Sequence, residues 1–536
     1  MKKNLLGVSL LTITSLYFLL AAIIILIAIL TDIPVIYGIF ASIIILILQF
    51  LISPWLTDLS MKWFYKAQFG YELPENIKAF VEEVCKQNNM KFPKIGYIDD
   101  GAPNAFTYGR TKNDARVVVT RGVFELLNED EVKAVVGHEL GHAAHYDMLF
   151  MTVAQLVPLV LYGIYEICMD NEKGSSRSNS KNGDYTALIG LIAYVLYVIS
   201  NYIILMLSRT REYYADSFSI EATKNPNSLA SALVKIGYGL TTAPTNAKHS
   251  AARSNALGIF DSKTSKALIV SSQDDGQISK DNIKQAMKWE QWNIWAKWYE
   301  FNSTHPLISK RLLAISNRSS EFNQEPYITF DLKKEESYVD DFLIEVLINV
   351  LPFLAFIISL VICVFILVNE GNVLSIAGIC LLVILAFSFI KFRRKYSNEP
   401  FKETTVRDLL SEVKVSHITS IPCSLEGIII GRGNPGCIFN EDFVIKDDSG
   451  IIFLDYNQPI NVVNKIFALF KSPEYFDKKV KVNGWYRRSP VPYVELKTIE
   501  IDGQVKKVYT YKVLLVFYVI WLILAVCLLV APFIMW

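Results

Sequence analysis

Long apolar runs alternate with polar segments along this chain. Seven of the runs reach about the 20 residues that a helix needs to cross a bilayer: Leu5–Leu30, Val35–Ile52, Met148–Cys168, Tyr185–Leu207, Phe342–Val368, Val373–Ile390 and Val513–Phe533. One such run can be a buried core helix. Seven, most of them without a charge, describe a multi-pass α-helical membrane protein. The first follows Lys2 and Lys3, as the core of a signal peptide would. It is longer than such a core and has no small-residue cleavage site, so it is expected to remain as an anchor.

The polar segments carry their own periodicities. Glu75–Asn88 is amphipathic through Ile77, Phe80, Val81 and Val84; Arg116–Thr120 is a β-branched run; Glu131–Tyr146 has a helical pattern. Segments 169–184 and 242–282 read as polar loops. A helix is expected over 286–300, with Trp289, Trp292, Trp295 and Trp298 packed as core. Segment 400–511 differs: short β-type runs separated by turn residues predict a small all-β domain of the OB type.

Lysine and arginine placement sets the expected orientation. With the N-terminus inside, Lys2, Lys3, Lys62, Lys66, Arg209, Arg211, Lys391, Arg393, Arg394, Lys395 and Lys512 all fall at inner span ends. The outer side holds Lys173, Arg177 and Lys181, offset by Asp170, Glu172 and Asp184. Segments 54–147, 208–341 and 391–512 then face the cytoplasm and Trp536 lies outside, in a cell membrane.

Composition narrows the picture. Lys and Arg number 53 against 52 Asp and Glu, a net charge of +1, so nothing draws the chain to nucleic acid. A mean hydropathy of +0.30 excludes a disordered chain. Seven cysteines with no CxxC pair form neither a disulfide framework nor a cysteine zinc site.

The sharpest chemical signal is His138-Glu139-Leu140-Gly141-His142. With six histidines and 52 acidic residues in 536, this spacing arises by chance in under about 1% of such chains. A separation of four residues puts both imidazoles on one helical face, where they can chelate one ion. Glu139 stands beside that face and can reach a water on the ion as general base. A hydrolytic zinc needs a third protein ligand and an open position. His145 shares the face but lies about 10 Å along the axis, too far to join. Glu212, in Ser208-Arg-Thr-Arg-Glu-Tyr-Tyr-Ala-Asp216, is the expected third ligand, and Asp216, one turn on, is placed to accept from a ligand imidazole. The spans 148–168 and 185–207 form a hairpin, which returns Glu212 to the membrane face that carries the histidines. A single Zn2+ is therefore expected on His138, His142 and Glu212.

These residues resemble the HtpX-type branch of the membrane zinc endopeptidases, a group that also includes the CAAX prenyl proteases. The resemblance covers about residues 1–320. It rests on HELGH at 138–142, SRTREYYAD at 208–216, Asn104-Ala105-Phe106, and Ser303-Thr304-His305-Pro306 with Lys310-Arg311. It implies a zincin-like α+β catalytic domain with Glu139 as base and Asn104, Ala105 and Phe106 as a substrate-binding edge strand. It also implies that His305 steadies the oxyanion, with Arg311 as its partner in the site. The expected division is two spans in 1–53, a metallopeptidase domain 54–341 that includes spans 148–168 and 185–207, a span pair 342–390, the β domain 400–511 and a last span 513–533.

The expected function is membrane-embedded, zinc-dependent hydrolysis of peptide bonds in membrane-associated or misfolded proteins. The alternatives are a selective protease of the CAAX prenyl-peptide type and a non-catalytic zinc-containing scaffold. Expected partners are protein or peptide substrates and the lipid bilayer. Other signals read as bland. Gly431-Arg-Gly433-Asn-Pro-Gly436 matches a dinucleotide fingerprint but reads as a hairpin turn; Lys391–Lys395 reads as a topology anchor; His249 and His417 read as surface or loop residues. Trp485-Tyr486-Arg487-Arg488 mixes aromatic and basic side chains as a ligand face would, but one patch in a charge-balanced chain is weak.

Overall fold

The computed structural model describes residues 2–31, 35–174, 183–242, 273–274, 277–278, 280–330, 336–368, 372–432, 441–489 and 491–534. His249, most of the 242–282 segment, part of 169–184 and the 433–436 part of the fingerprint-like turn lie outside them. Among the described residues, seven helices are long and apolar enough to cross a membrane. Two compact units divide the chain: Met1–Ser262 with Glu300–Thr329, and Lys263–Tyr299 with Phe330–Trp536.

In the first unit, α1 (Lys2–Thr31), α2 (Val35–Phe64), α6 (Asp147–Gly174) and α7 (Gly183–Thr223) are the membrane-length helices. Leu16, Leu20 and Ile23 of α1 pack with Ala154, Val157 and Leu161 of α6 and with Ile189, Ala193, Ile204 and Leu207 of α7. Leu11, Phe18 and Leu191 point away from that cluster, as side chains in contact with lipid would. The expected span at 185–207 is only half of α7, which continues unbroken to Thr223.

A four-stranded sheet of order β1-β2-β4-β3 is formed by β1 (Gln68–Phe69), β2 (Lys94–Ile98), β3 (Ala105–Gly109) and β4 (Ala115–Thr120). β2 and β4 are parallel, while β3 pairs antiparallel to β4 and forms one free edge, β1 being the other. The amphipathic α3 (Glu75–Gln87) buries Ile77, Val81 and Val84. The short α4 is Arg121–Leu126.

α5 (Glu129–Ala144) starts at a capping box, in which the Asn128 side chain accepts from Glu131 N–H and the Glu131 carboxylate accepts from Asn128 N–H. From Glu131 to Ala143 it is buried on nearly every face, with the polar Glu131, His138 and Glu139 buried alongside Val132, Val135, Val136 and Leu140. Glu131 also accepts from Ser231 and Lys235 of α8 (Pro226–Thr242), which ties the two helices together. The helical pattern expected to run on to Tyr146 stops at Ala144. His145 and Tyr146 turn the chain, Tyr146 at φ +59°, and α6 begins at Asp147.

In the second unit the tryptophan-rich segment is two helices, α9 (Lys280–Trp292) and α10 (Ile294–Phe301), the second reaching past the unit boundary. Asn293 breaks them apart by accepting from Trp295 N–H. Trp289 and Trp295 are buried as core, whereas Trp298 is exposed. Three membrane-length helices follow: α11 (Val339–Val368), α12 (Val373–Lys395) and α14 (Thr510–Ile534), with the short α13 (Asn461–Phe470) between the last two. Glu345 of α11 is buried and accepts from Trp295 Nε1.

The β strands are β5 (Ile421–Arg432), β6 (Phe443–Asp447), β7 (Gly450–Asp455), β8 (Lys479–Arg488), β9 (Pro492–Ile501) and β10 (Gln504–Lys507). Pairings β5–β6, β6–β7, β7–β9, β9–β8 and β8–β5 close a five-stranded ring, with β7 and β9 parallel and β10 added at the edge of β9. Trp485, Tyr486, Arg487 and Arg488 are all buried, so this stretch is core and not a ligand face. His417, expected at the surface or in a loop, lies in a loop, half-buried between the Tyr299 hydroxyl at 2.9 Å and the Trp295 ring at 4.6 Å.

Candidate metal centre

Helices α5 and α7 pack side by side, and the site lies between them. His138 and His142 sit one turn apart on α5; Glu212 and Asp216 sit one turn apart on α7. The two imidazoles meet edge to face, with Nε2 atoms 3.2 Å apart. Glu212 closes a triangle: Oε2 is 3.6 Å from His138 Nε2 and Oε1 is 3.6 Å from His142 Nε2. Ligand atoms about 2.0–2.1 Å from a tetrahedral zinc stand about 3.3–3.4 Å apart, close to the Nε2–Nε2 separation here, and the carboxylate turns one oxygen toward each ring. Two imidazole nitrogens and a carboxylate are a donor set suited to zinc. His138, His142 and Glu212 are the metal-competent group among the described residues.

Each histidine is held from behind. His138 Nδ1 lies 3.0 Å from Asp216 Oδ1, and His142 Nδ1 lies 2.7 Å from Asp147 Oδ2. Arg311 grips Asp216 with two donors, Nε to Oδ2 at 2.9 Å and Nη2 to Oδ1 at 2.6 Å, and its Nη1 lies 3.3 Å from Glu212 Oε2. Arg211 donates from Nη1 to Asp147 and from Nη2 to Ser9 of α1 at 2.7 Å. His305 approaches the same carboxylate, with Nδ1 3.3 Å from Glu212 Oε1. Its loop is fixed by Arg209, which donates to the carbonyls of Glu300, Phe301 and Ser303 at 2.8, 3.1 and 2.8 Å.

Burial favours the neutral ring of His138, but the hydrogen-bonding carboxylates of Asp216 and Glu212 outweigh it and lift its pKa to about 9. Burial, helped by the neighbouring His138, holds His142 below its ordinary value. Burial also works against the Arg311 cation, and Asp216 and Glu212 more than compensate, raising its pKa. The carboxylates of Asp216 and Glu212 thus favour positive charge beside His138, which a divalent cation can supply.

Glu139 is buried beside His138, and its main-chain carbonyl accepts from Thr107 Oγ1 of β3 at 3.1 Å. That bond holds the free edge strand against the metal helix. Asn104 and Phe106 are buried, Phe106 in a core with Met61, Ala67, Ile98 and Val118. The expected strand Asn104-Ala105-Phe106 therefore lies next to the site with its side chains turned into the fold, and main-chain groups are what its edge can offer.

Sequence reasoning did not single out Asp147, Arg209, Arg211 or Ser9. A carboxylate opening an apolar run, and two arginines just before Glu212, were the available signals.

Residues 73–319 match Peptidase family M48. The Protease HtpX homolog of Methanothermobacter thermautotrophicus is 41% identical over 192 residues, 36% of this chain and 69% of that one. The Protease HtpX homolog of Picrophilus torridus is 28% identical over 282 residues, 52% of this chain and 82% of that one. The Crystal Structure of S. mikatae Ste24p aligns with a TM-score of 0.33 and 17% identity, covering 58% of this chain and 66% of that chain. The metal-competent site, the apolar helices and the sequence relatives together define a multi-pass membrane metalloprotease, a hydrolase of proteins or peptides. The chain belongs to peptidase family M48.

Proposed function

We propose that the protein is a zinc-dependent endopeptidase working at the cytoplasmic membrane face on membrane-associated or misfolded proteins. The observation that carries the reading is the His138–His142–Glu212 cluster, with the two Nε2 atoms 3.2 Å apart and each 3.6 Å from one Glu212 carboxylate oxygen. When bound, zinc supplies Lewis-acid polarisation of the scissile carbonyl and lowers the pKa of the attacking water. Glu139 takes the proton from that water and delivers it to the leaving amine. His305, beside Glu212, hydrogen-bonds the developing oxyanion, and Asp216 with Arg311 orients His138. The free edge of β3 accepts the substrate main chain as an added strand.

A helix carrying two ligands, a second helix carrying the third and a sheet edge alongside support a zincin-like catalytic fold. The ring order β5-β6-β7-β9-β8, with α13 between β7 and β8, is the order expected of an OB-type barrel. The clustering of basic residues at alternate span ends supports a cytoplasmic site with Trp536 outside. Protease protection of a C-terminal tag in sealed vesicles reads that orientation directly.

The deciding experiment compares zinc content and casein cleavage of detergent-purified wild type and Glu139→Gln. One zinc in each, with cleavage reduced about 10²–10⁴-fold in the variant, is the expected result. Equal cleavage by the two proteins removes Glu139 from the mechanism. No zinc in either removes the ligand set.

A further inference from the structure

We propose that Asp147 is a positioning residue of the metal centre, and that a relay from Ser9 through Arg211 and Asp147 fixes the orientation of His142. The proposal rests on the zinc reading of that site. A neutral imidazole donates from one nitrogen and accepts with the other. Asp147 Oδ2, 2.7 Å from His142 Nδ1, fixes the proton there and leaves the Nε2 lone pair facing His138 Nε2 and Glu212. The arrangement repeats that of His138, where Asp216 stands behind Nδ1 and Arg311 stands behind Asp216. Each α5 histidine thus has its own carboxylate, and each carboxylate its own arginine.

The local backbone is built to bring Asp147 back. Only four residues separate it from His142, and α5 must end and α6 begin within that space. Tyr146 accomplishes this in the left-handed region at φ +59°, a conformation that strains a non-glycine residue. Arg211 is nearly as demanding. It is 2% exposed, and a buried charge is costly without a partner. Its guanidinium donates to Asp147 and to Ser9 Oγ and covers the Phe150 ring at 4.7 Å. Ser9 is fully buried on α1, 202 positions away in sequence. The first membrane helix is therefore joined to a metal ligand through three consecutive polar contacts.

A buried ion pair can also serve stability alone, so the test separates metal affinity from folding. Asp147→Asn by itself strands the Arg211 charge and can prevent folding. The double variant Asp147→Asn/Arg211→Met removes both charges, and Asp147→Glu keeps the pair while displacing the carboxylate. Zinc affinity is measured in detergent by chelator competition, and thermal unfolding on the metal-stripped proteins. The double variant is expected to bind zinc about 10–100-fold more weakly than wild type, with metal-free unfolding unchanged. Asp147→Glu should fall between the two, and Ser9→Ala should weaken zinc by a smaller factor. Wild-type affinity in both the double variant and Asp147→Glu overturns the proposal. So does a loss of affinity matched by an equal loss of metal-free stability. A wild type that binds no zinc overturns the ligand set itself and is recognisable as that separate failure.

Discussion

Asp455 and Glu495 stand in register on the parallel strands β7 and β9, two carboxylates side by side in the β unit. Glu495 has partners in Arg487 and the Tyr396 hydroxyl. Burial pushes Asp455 up to a pKa of about 7, and Asp442 and Glu495 push in the same direction against Arg487 and Lys395; Tyr493 is a further titratable neighbour. Because the folded value lies above the unfolded one, the protonated form is the stable one. Its contribution is complete below about pH 4 and is lost as pH rises through 7. Asp455→Asn, which mimics the protonated acid, should gain on wild type by about 1 kcal/mol between pH 6 and pH 8. Thermal unfolding in detergent at the two pH values checks this, and a gap that does not change with pH sinks it. The same scale shows what a sequence can disclose. The pairs His138/His142 and Glu212/Asp216 were legible because helical spacing within a few residues is a local property, and the hairpin of two apolar runs between them indicated that they meet. Arg211–Asp147 and Arg211–Ser9 join residues 64 and 202 positions apart, and no local pattern encodes such pairings.

At the scale of elements, the centre depends on how closely α5 approaches α7. Gly141, inside HELGH, permits it: a Cβ there would stand 3.1 Å from both Ala215 Cα and Phe218 Cβ and 3.3 Å from the Ala215 carbonyl oxygen. The obstacles include helix backbone, so relief requires the helices to part, and parting moves Glu212 away from the histidines. Gly141→Val should cost about 1–3 kcal/mol and leave the purified protein zinc-poor. Gly163→Val on α6, where a Cβ meets nothing within 4 Å, is the matched control and should keep wild-type zinc. Equal zinc in the two variants would show that the close crossing is not needed. Hydropathy located the helices well and their ends poorly. The run at 185–207 stops where the side chains become polar, yet α7 continues because its further turns are buried against α5 and not in lipid. The tryptophan segment has helical spacing throughout, and Asn293 still breaks it, because its side chain bonds Trp295 N–H and the Val413 carbonyl.

At the largest scale, seven apolar runs became seven membrane-length helices among the described residues, because spanning length and apolar composition are read directly from the sequence. The partition of the polar parts is another matter, since the second unit draws in Lys263–Tyr299 from the middle of the chain. The partners of that segment explain why. Trp289 Nε1 donates to the Val415 carbonyl at 2.7 Å, and Arg488 lies over the Trp289 ring while donating to the Ala286 carbonyl at 2.7 Å. Asn293 donates to Val413, and Trp295 donates to Glu345 at 2.5 Å. Ile283, Met287, Trp289 and Trp295 are buried together with these groups. A protein ending at residue 329 would keep these apolar side chains and lose the polar partners that Glu345, Val413, Val415 and Arg488 provide. It should aggregate in detergent for that reason, whatever the state of its metal centre. Joining 262 to 300 through a short flexible linker in the same truncated protein removes the stranded segment while keeping all of the ligands. That second protein should elute as a single species and hold one zinc. Size-exclusion chromatography with metal analysis separates the cases: a first protein that stays monodisperse would mean that 263–299 does not depend on the C-terminal residues for its burial, and aggregation of both would place the cause outside that segment.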